Sequence, residues 1–270
     1  MRYLVLLLLI PTMASAHDAS ARYIGNAGVL VSDGDNKVVF DAFYANSYGQ
    51  YLLVAEPTKD ALLEDQPPFD GVDAVVVSHV HGDHFTAKPT LDYLRANQDA
   101  KFIASTQTVA ALEAILGDND EQIRERLIGF ELKPGDQAQS VNVGELTIEA
   151  IAIPHSGGDR MADIQNLAFR VSMDDTVVQH FGDAAIDDAV FAAQQSFFDA
   201  RQTDAAFPPY WFFMDPAGHV ILEDRVKAAQ NIGVHVPAAA GGEGDKWRAQ
   251  LKGDLFTDPG EERPLPSSPQ

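Results

Sequence analysis

Apolar positions along the chain fall in short blocks separated by glycine, proline and acidic turns, a pattern that favours strands joined by short helices. Between residues 21 and 55 the blocks alternate in the manner of a hairpin. Tyr23 to Val31 and Lys37 to Phe40 flank the turn Asp33-Gly34-Asp35-Asn36. After the Pro67-Pro68 break, the run Asp73-Ala74-Val75-Val76-Val77 reads as a buried central strand. Further strands are expected at Lys101–Ser105, Leu146–Ile153, Asn166–Met173 and Thr176–Phe181. Helices are expected over Thr90–Asn97, Thr108–Leu116 with a stop at Gly117, Asp187–Ser196 and Leu222–Gln230. Strands mixed with helices throughout, and no internal repeat, indicate an α/β layered architecture.

Composition changes the picture at the two ends. Arg2, the apolar stretch Leu4 to Ile10 and Ala14-Ser15-Ala16 have the order of a signal peptide over residues 1–16. The apolar stretch is too short to span a bilayer. The mature chain is therefore expected to start at His17 and to be exported, periplasmic or secreted, with no membrane anchor left after cleavage. Residues 17–257 suit one domain, and the Pro-, Ser- and Glu-rich segment 258–270 reads as a flexible tail. The absence of cysteine excludes disulfides and thiolate metal ligands. With 40 acidic against 19 basic residues the formal charge is −21, a surface that repels phosphate backbones and anionic headgroups. A nucleic-acid partner is thereby disfavoured and a small-molecule substrate favoured. No feature specifies an oligomeric state.

The densest chemistry is Ser78-His79-Val80-His81-Gly82-Asp83-His84, directly after the central strand. Alternation sends His79 and His81 the same way, so both can close on one ion. Gly82 permits a sharp turn, after which Asp83 and His84 can face a second ion. Imidazole and carboxylate suit zinc and its neighbours. Three weaker elements follow: His155 after the strand ending at Pro154, Gly182-Asp183 after the strand Thr176–Phe181, and His235 within the short strand Asn231–Pro237. Each of these alone is more often structural than a ligand.

Together, an HxHxDH at a strand end, a single histidine, a Gly-Asp and a late histidine resemble the metallo-β-lactamase-fold hydrolases. The likeness begins at Tyr23-Ile24-Gly25-Asn26-Ala27-Gly28 and Val39-Phe40-Asp41 and ends near His235. Within that superfamily the chain is most similar to the branch of ascorbate-6-phosphate lactonase and N-acyl phosphatidylethanolamine phospholipase D. The resemblance implies a four-layer αββα sandwich carrying two divalent metal ions, Zn first, with Mn or Fe as alternatives. His79, His81 and His155 would hold one ion; Asp83, His84 and His235 the other; Asp183 would bridge them. Two ions roughly 3.5–4 Å apart share a hydroxide nucleophile, and Asp83 would orient it or pass its proton to the leaving group. The implied activity is cleavage of a lactone, ester or phosphodiester. The alternatives are a β-lactam or amide hydrolase of the same fold and a non-catalytic exported metal-binding protein.

Other residues stay ambiguous in the sequence. Tyr210, Trp211 and Phe212 belong to an aromatic run, Pro208 to Met214, that either walls a substrate pocket or ends a buried strand with its faces alternating. His219 either contacts substrate or caps a helix. His180 reads as a core histidine, Asp41 as a structural carboxylate near the metal loop, and Arg160 and Lys88 as candidates for an anionic substrate group.

Overall fold

Alternation along each strand sends neighbouring side chains to opposite faces, and in this chain each face is taken up by a separate apolar cluster. The computed structural model of the protein describes residues 19–266. A first sheet runs β1 (Ser20–Gly25), β2 (Gly28–Ser32), β3 (Lys37–Phe40), β4 (Ala74–Val77), β5 (Lys101–Ser105) and β6 (Leu127–Phe130). A second runs β7 (Gln139–Val143), β8 (Leu146–Ala152), β9 (Leu167–Met173), β10 (Thr176–His180), β11 (Ala205–Phe207), β12 (Gln230–Gly233) and β13 (Asp254–Leu255). The last strand, β14 (Glu262–Pro264), returns to the first sheet and pairs antiparallel with β1. In each half an antiparallel meander gives way to parallel strands, starting at β3–β4 and at β10–β11. The C-terminal ends of β8, β10 and β12 therefore share one edge of the second sheet.

Val38, Phe40, Val76 and Ile103 face Ile148, Phe169, Val171 and Phe207 across the inter-sheet core. The alternate residues of the first sheet, Val39, Val75, Val77 and Phe102, point outward. They are covered by α1 (Glu56–Leu63), α2 (Ala87–Ala96), α3 (Thr106–Glu113) and α4 (Glu121–Arg124) through Leu62, Leu91, Leu94, Leu112 and Ile123. On the far side, Ile151, Ala168 and Ala206 pack under α5 (Asp188–Ala193), α6 (Gln195–Asp199), the Ile221–Val226 stretch that continues α7 (Pro216–Val220), and α8 (Gly244–Leu251). Three apolar interfaces make four layers, the αββα sandwich that the sequence implied.

Several expected elements differ. Tyr23–Val31 is two strands, because Asn26 takes a left-handed φ of 48° and the chain reverses between the paired Gly25 and Gly28. The helix expected over Asp187–Ser196 divides at Gln194 into α5 and α6. The next helix starts not at Leu222 but at Pro216, with Asp215 accepting from the Ala217 amide, and continues as a π-helical stretch Ile221–Val226. The tail expected from Asp258 is ordered through β14, and Leu265 is buried against the core, because the free edge of β1 offers backbone partners there. The expected signal peptide and the start at His17 lie outside the described residues. Among those described, no helix is long and apolar enough to cross a membrane.

Candidate metal centre

The site grows from strand ends. Where β4 stops, Asp41, just past β3, accepts from the Ser78 amide at 2.8 Å and the Ser78 hydroxyl at 2.7 Å, closing backbone groups that the sheet leaves open. The following residues leave the sheet in a helical turn, with the His84 and Phe85 amides on the His81 carbonyl. This turn keeps His79 beside His81, Nε2 to Nδ1 at 3.1 Å, and carries Asp83 and His84 onward. On the other sheet, Asn166 donates to the carbonyls of Ile153 and Phe181 and accepts from the Asp183 amide at 3.0 Å, lacing the ends of β8 and β10. His155 and Asp183 are thereby set side by side. His235 lies beyond the end of β12, not within a strand as expected, and its left-handed φ of 61° turns it back toward the cluster.

Two groups of donor atoms result, each within 4.8 Å of one another: His79, His81, His155 and Asp183, and Asp83, His84 and His235. The resemblance implied the same seven residues, with Asp183 between the two groups, whereas the first group here includes it. Asp183 faces both. Its Oδ2 is 3.3 Å from His155 Nε2 and 4.0 Å from His79 Nε2, while its Oδ1 is 3.1 Å from His84 Nε2 and 3.2 Å from His235 Nε2. His235 Nε2 also lies 3.2 Å from Asp83 Oδ2.

The rings are aimed by their distal nitrogens. His84 Nδ1 is 2.7 Å from Asp41 Oδ2, His79 Nδ1 is 3.0 Å from the Ser78 hydroxyl, and His155 Nδ1 is 2.5 Å from the Ser156 carbonyl. Each arrangement turns Nε2 inward, as a carboxylate or carbonyl does behind a metal-bound imidazole. Burial and the neighbouring His84 hold His79 well below the usual imidazole range, hence neutral, and burial lowers His81 as well. Burial works against ionised Asp183, but His235 and His84 outweigh it and hold the carboxyl well below its usual range. Burial likewise opposes a charged His84, yet Asp183 and Asp41 raise it well above the ordinary value. Asp183 and Asp41 thus favour positive charge beside His84, which a metal cation would also supply.

The donor set fits divalent ions on a second count. His84 Nε2, His155 Nε2, His235 Nε2 and Asp183 Oδ1 are buried and lack hydrogen-bond partners, an arrangement that is costly unless something else occupies them. Five imidazoles and two carboxylates, with no thiolate, suit Zn, Mn or Fe.

The other predicted residues separate. Trp211 lies near the centre: its ring meets His235 at 5.3 Å and its Nε1 donates to the Ala184 carbonyl. Tyr210 packs beside Trp211 at 5.7 Å, partly exposed. Phe212 does not line a pocket. It is wholly buried between Phe181 and Phe191, because Tyr210–Phe213 is a 3-10 turn and the expected two-residue alternation is lost. His219 bonds the Phe213 carbonyl and is not part of the cluster. His180 is a core histidine, stacked on Phe40 at 5.0 Å. Lys88 is engaged with Asp92, and Arg160 is exposed in the turn Gly158–Met161. Tyr51, unsignalled in the sequence, sets its ring 4.2 Å from His235; burial, then Asp183 and Asp83, push its phenol up to about 12.

The sequence profile of a family described as a beta-lactamase superfamily domain matches residues 36–236. No curated protein matches. Solved structures share the fold at low identity. Igni18, a metallo hydrolase from the hyperthermophilic archaeon Ignicoccus hospitalis, is 17% identical over 91% of this chain and 97% of its own, with a TM-score of 0.60. The metallo-beta-lactamase fold protein YhfI from Bacillus subtilis is 18% identical over 91% and 98%, with a TM-score of 0.59. An isothiocyanate hydrolase from Delia radicum gut bacteria is 15% identical over 90% and 98%, with a TM-score of 0.57.

Proposed function

The chain belongs to the beta-lactamase superfamily, and from the paired donor groups that it builds on that fold we propose an exported, dinuclear metal-dependent hydrolase of small lactones or esters. The observation that carries this reading is Asp183, whose two oxygens face different donor groups. Two divalent ions there, Zn before Mn or Fe, would supply the positive charge that lowers the pKa of water and polarises a carbonyl. His79, His81, His155 and Asp183 would hold one, and Asp83, His84, His235 and Asp183 the other. Asp83 would take a proton from the attacking water and return it to the leaving oxygen. Trp211 and Tyr51 flank His235 and shield that side from bulk water.

A cleft of about 600 Å³ opens beside His155, within the range of small-molecule sites. Ile153, Pro154, Met161, Ile164 and Ala185 give it an apolar wall, and Asp159, Asp163 and Asp187 outnumber Lys133 along its lining. That balance favours neutral esters and lactones over phosphodiesters, which carry a charge. The Leu4–Ile10 stretch supports export, with cleavage before His17.

The test is a set of initial rates for the chain starting at His17, loaded separately with zinc and manganese, on lactones, an ester, a thioester, a phosphodiester and nitrocefin. Neutral esters or lactones should turn over. Asp183→Asn should lower that rate by more than about 100-fold, beyond the 10–100-fold typical of residues that merely support a ligand. Turnover confined to nitrocefin would make the protein a β-lactam hydrolase. Bound metal with no turnover on any substrate would leave a binding protein.

A further inference from the structure

Asp83 and His235 come from different sheets, one after β4 and the other after β12, yet they must keep a common geometry to share an ion. The residue that ties them together is Asn26, at the reversal between β1 and β2. Its Nδ2 donates to the Asp83 carbonyl at 2.8 Å and lies 3.4 Å from Asp83 Oδ2. Its own carbonyl accepts the His235 amide at 2.8 Å. The next carbonyl, Ala27, lies 2.9 Å from His180 Nε2, and the Gly182 amide reaches the same ring at Nδ1. One four-residue reversal thus touches the loop of Asp83, the backbone of His235 and the strand end that presents Asp183.

The chemistry of Asn26 fits that task and little else. It is wholly buried with a left-handed φ of 48°, a conformation that asparagine tolerates better than most residues with a Cβ. Both groups facing its amide are oxygens, so only the NH2 end can point at Asp83. The Oδ1 end is left buried without a partner. A buried polar residue that sacrifices one of its own bonds to hold a carboxylate is poor packing but good positioning.

We infer that Asn26 is the positioning residue of the second donor group, fixing Asp83 and His235 so that this group takes its own ion. It makes no hydrogen bond to His79, His81 or His155: Nδ1 of His79 faces the Ser78 hydroxyl, Nδ1 of His155 faces the Ser156 carbonyl, and Nδ1 of His81 faces Nε2 of His79. The inference rests on the two-ion reading above. Its consequence is selective: loss of the amide weakens one ion and spares the other.

Asn26→Gly removes the amide while keeping a residue at ease with positive φ, and Asn26→Asp keeps the shape but sets a carboxylate against Asp83. The measurement is competitive titration of zinc against a chromophoric chelator, with cobalt(II) absorption as a second readout, on the chain starting at His17. The parent should bind two ions. Both variants should hold the first with parental affinity and the second roughly 10–100-fold more weakly, with Asn26→Asp the worse. The thermal midpoint of the metal-free protein should be unchanged in Asn26→Gly. Two ions bound by Asn26→Gly with parental affinities would overturn this inference and leave the two-ion reading intact. Equal weakening of both ions, or a lowered metal-free midpoint, would make Asn26 a structural residue and also overturn it. A parent that binds a single ion would remove both readings.

Discussion

The tightest point of the site carries no donor at all. Gly182 sits before Asp183 with φ +54°, and a Cβ there would fall 2.5 Å from Asn166 Oδ1 and 2.5 Å from Ser78 Cβ. Ser78 and Asn166 are the two residues that organise the opposite sheet ends, so neither can retreat without releasing His79 or Asp183. Gly158 makes an internal control, with φ +64° and nothing within 4 Å of the added atom. Gly158→Ala meets only the left-handed penalty, about 1–2 kcal/mol. Gly182→Ala adds overpacking of roughly 1–3 kcal/mol to the same penalty. Urea midpoints should therefore fall further for Gly182→Ala, and equal falls would mean that crowding at Ser78 is not the constraint. The same contrast explains what was legible. Four candidate donors, His79, His81, Asp83 and His84, could be read from type and spacing at a strand end, whereas His155, Asp183 and His235 stood out only through the resemblance carried by their order along the chain. Asn26, Ser78 and Asn166 could not be read, since asparagine and serine are common and their partners lie far off in sequence: Asn26 meets Asp83 at a separation of 57 residues.

At the scale of elements, legibility followed burial. β4, β5, β9 and β10 read clearly, because their faces are apolar and covered. β7 was unread, since its residues are mostly exposed, and β11 is only three residues long. β14 was missed for a related reason: its Glu262-Arg263-Pro264 sequence has no strand character, and pairing with β1 is what makes it a strand. Its removal should thus matter more than its composition suggests. Truncation after residue 261 strips the partner of β1, the Arg22–Glu262 pair at 2.7 Å and the buried Leu265. Truncation after residue 266 strips none of these. The shorter chain should show a lower thermal midpoint and form dimers or aggregates through the bared β1 edge, visible by light scattering. If the two truncations behave alike, β14 is not a working part of the sheet.

At the scale of the whole molecule, the donor groups join what the fold otherwise keeps apart. His79, His81, Asp83 and His84 belong to the end of the first sheet, and His155, Asp183 and His235 to the second. Ions held between them would fasten one half of the sandwich to the other in the folded state only. Each ion supplied at 100 times its Kd adds about 2.7 kcal/mol. Two would contribute about 5 kcal/mol, and at roughly 2–4 °C per kcal/mol for a domain of this size, chelation should lower the thermal midpoint by about 10–20 °C. Because the ions would fasten both halves together, the fall should occur in one cooperative transition. A chain of net charge −21 offers a second way for divalent ions to stabilise it, by screening repulsion among surface carboxylates. Salt separates the two. At 1 M the Debye length is about 3 Å and the surface term is largely gone, whereas buried donors are screened far less. Scanning calorimetry with and without chelator, at low salt and at 1 M, should give a shift that survives the salt. A shift that disappears in salt would place the ions on the surface and not between the sheets.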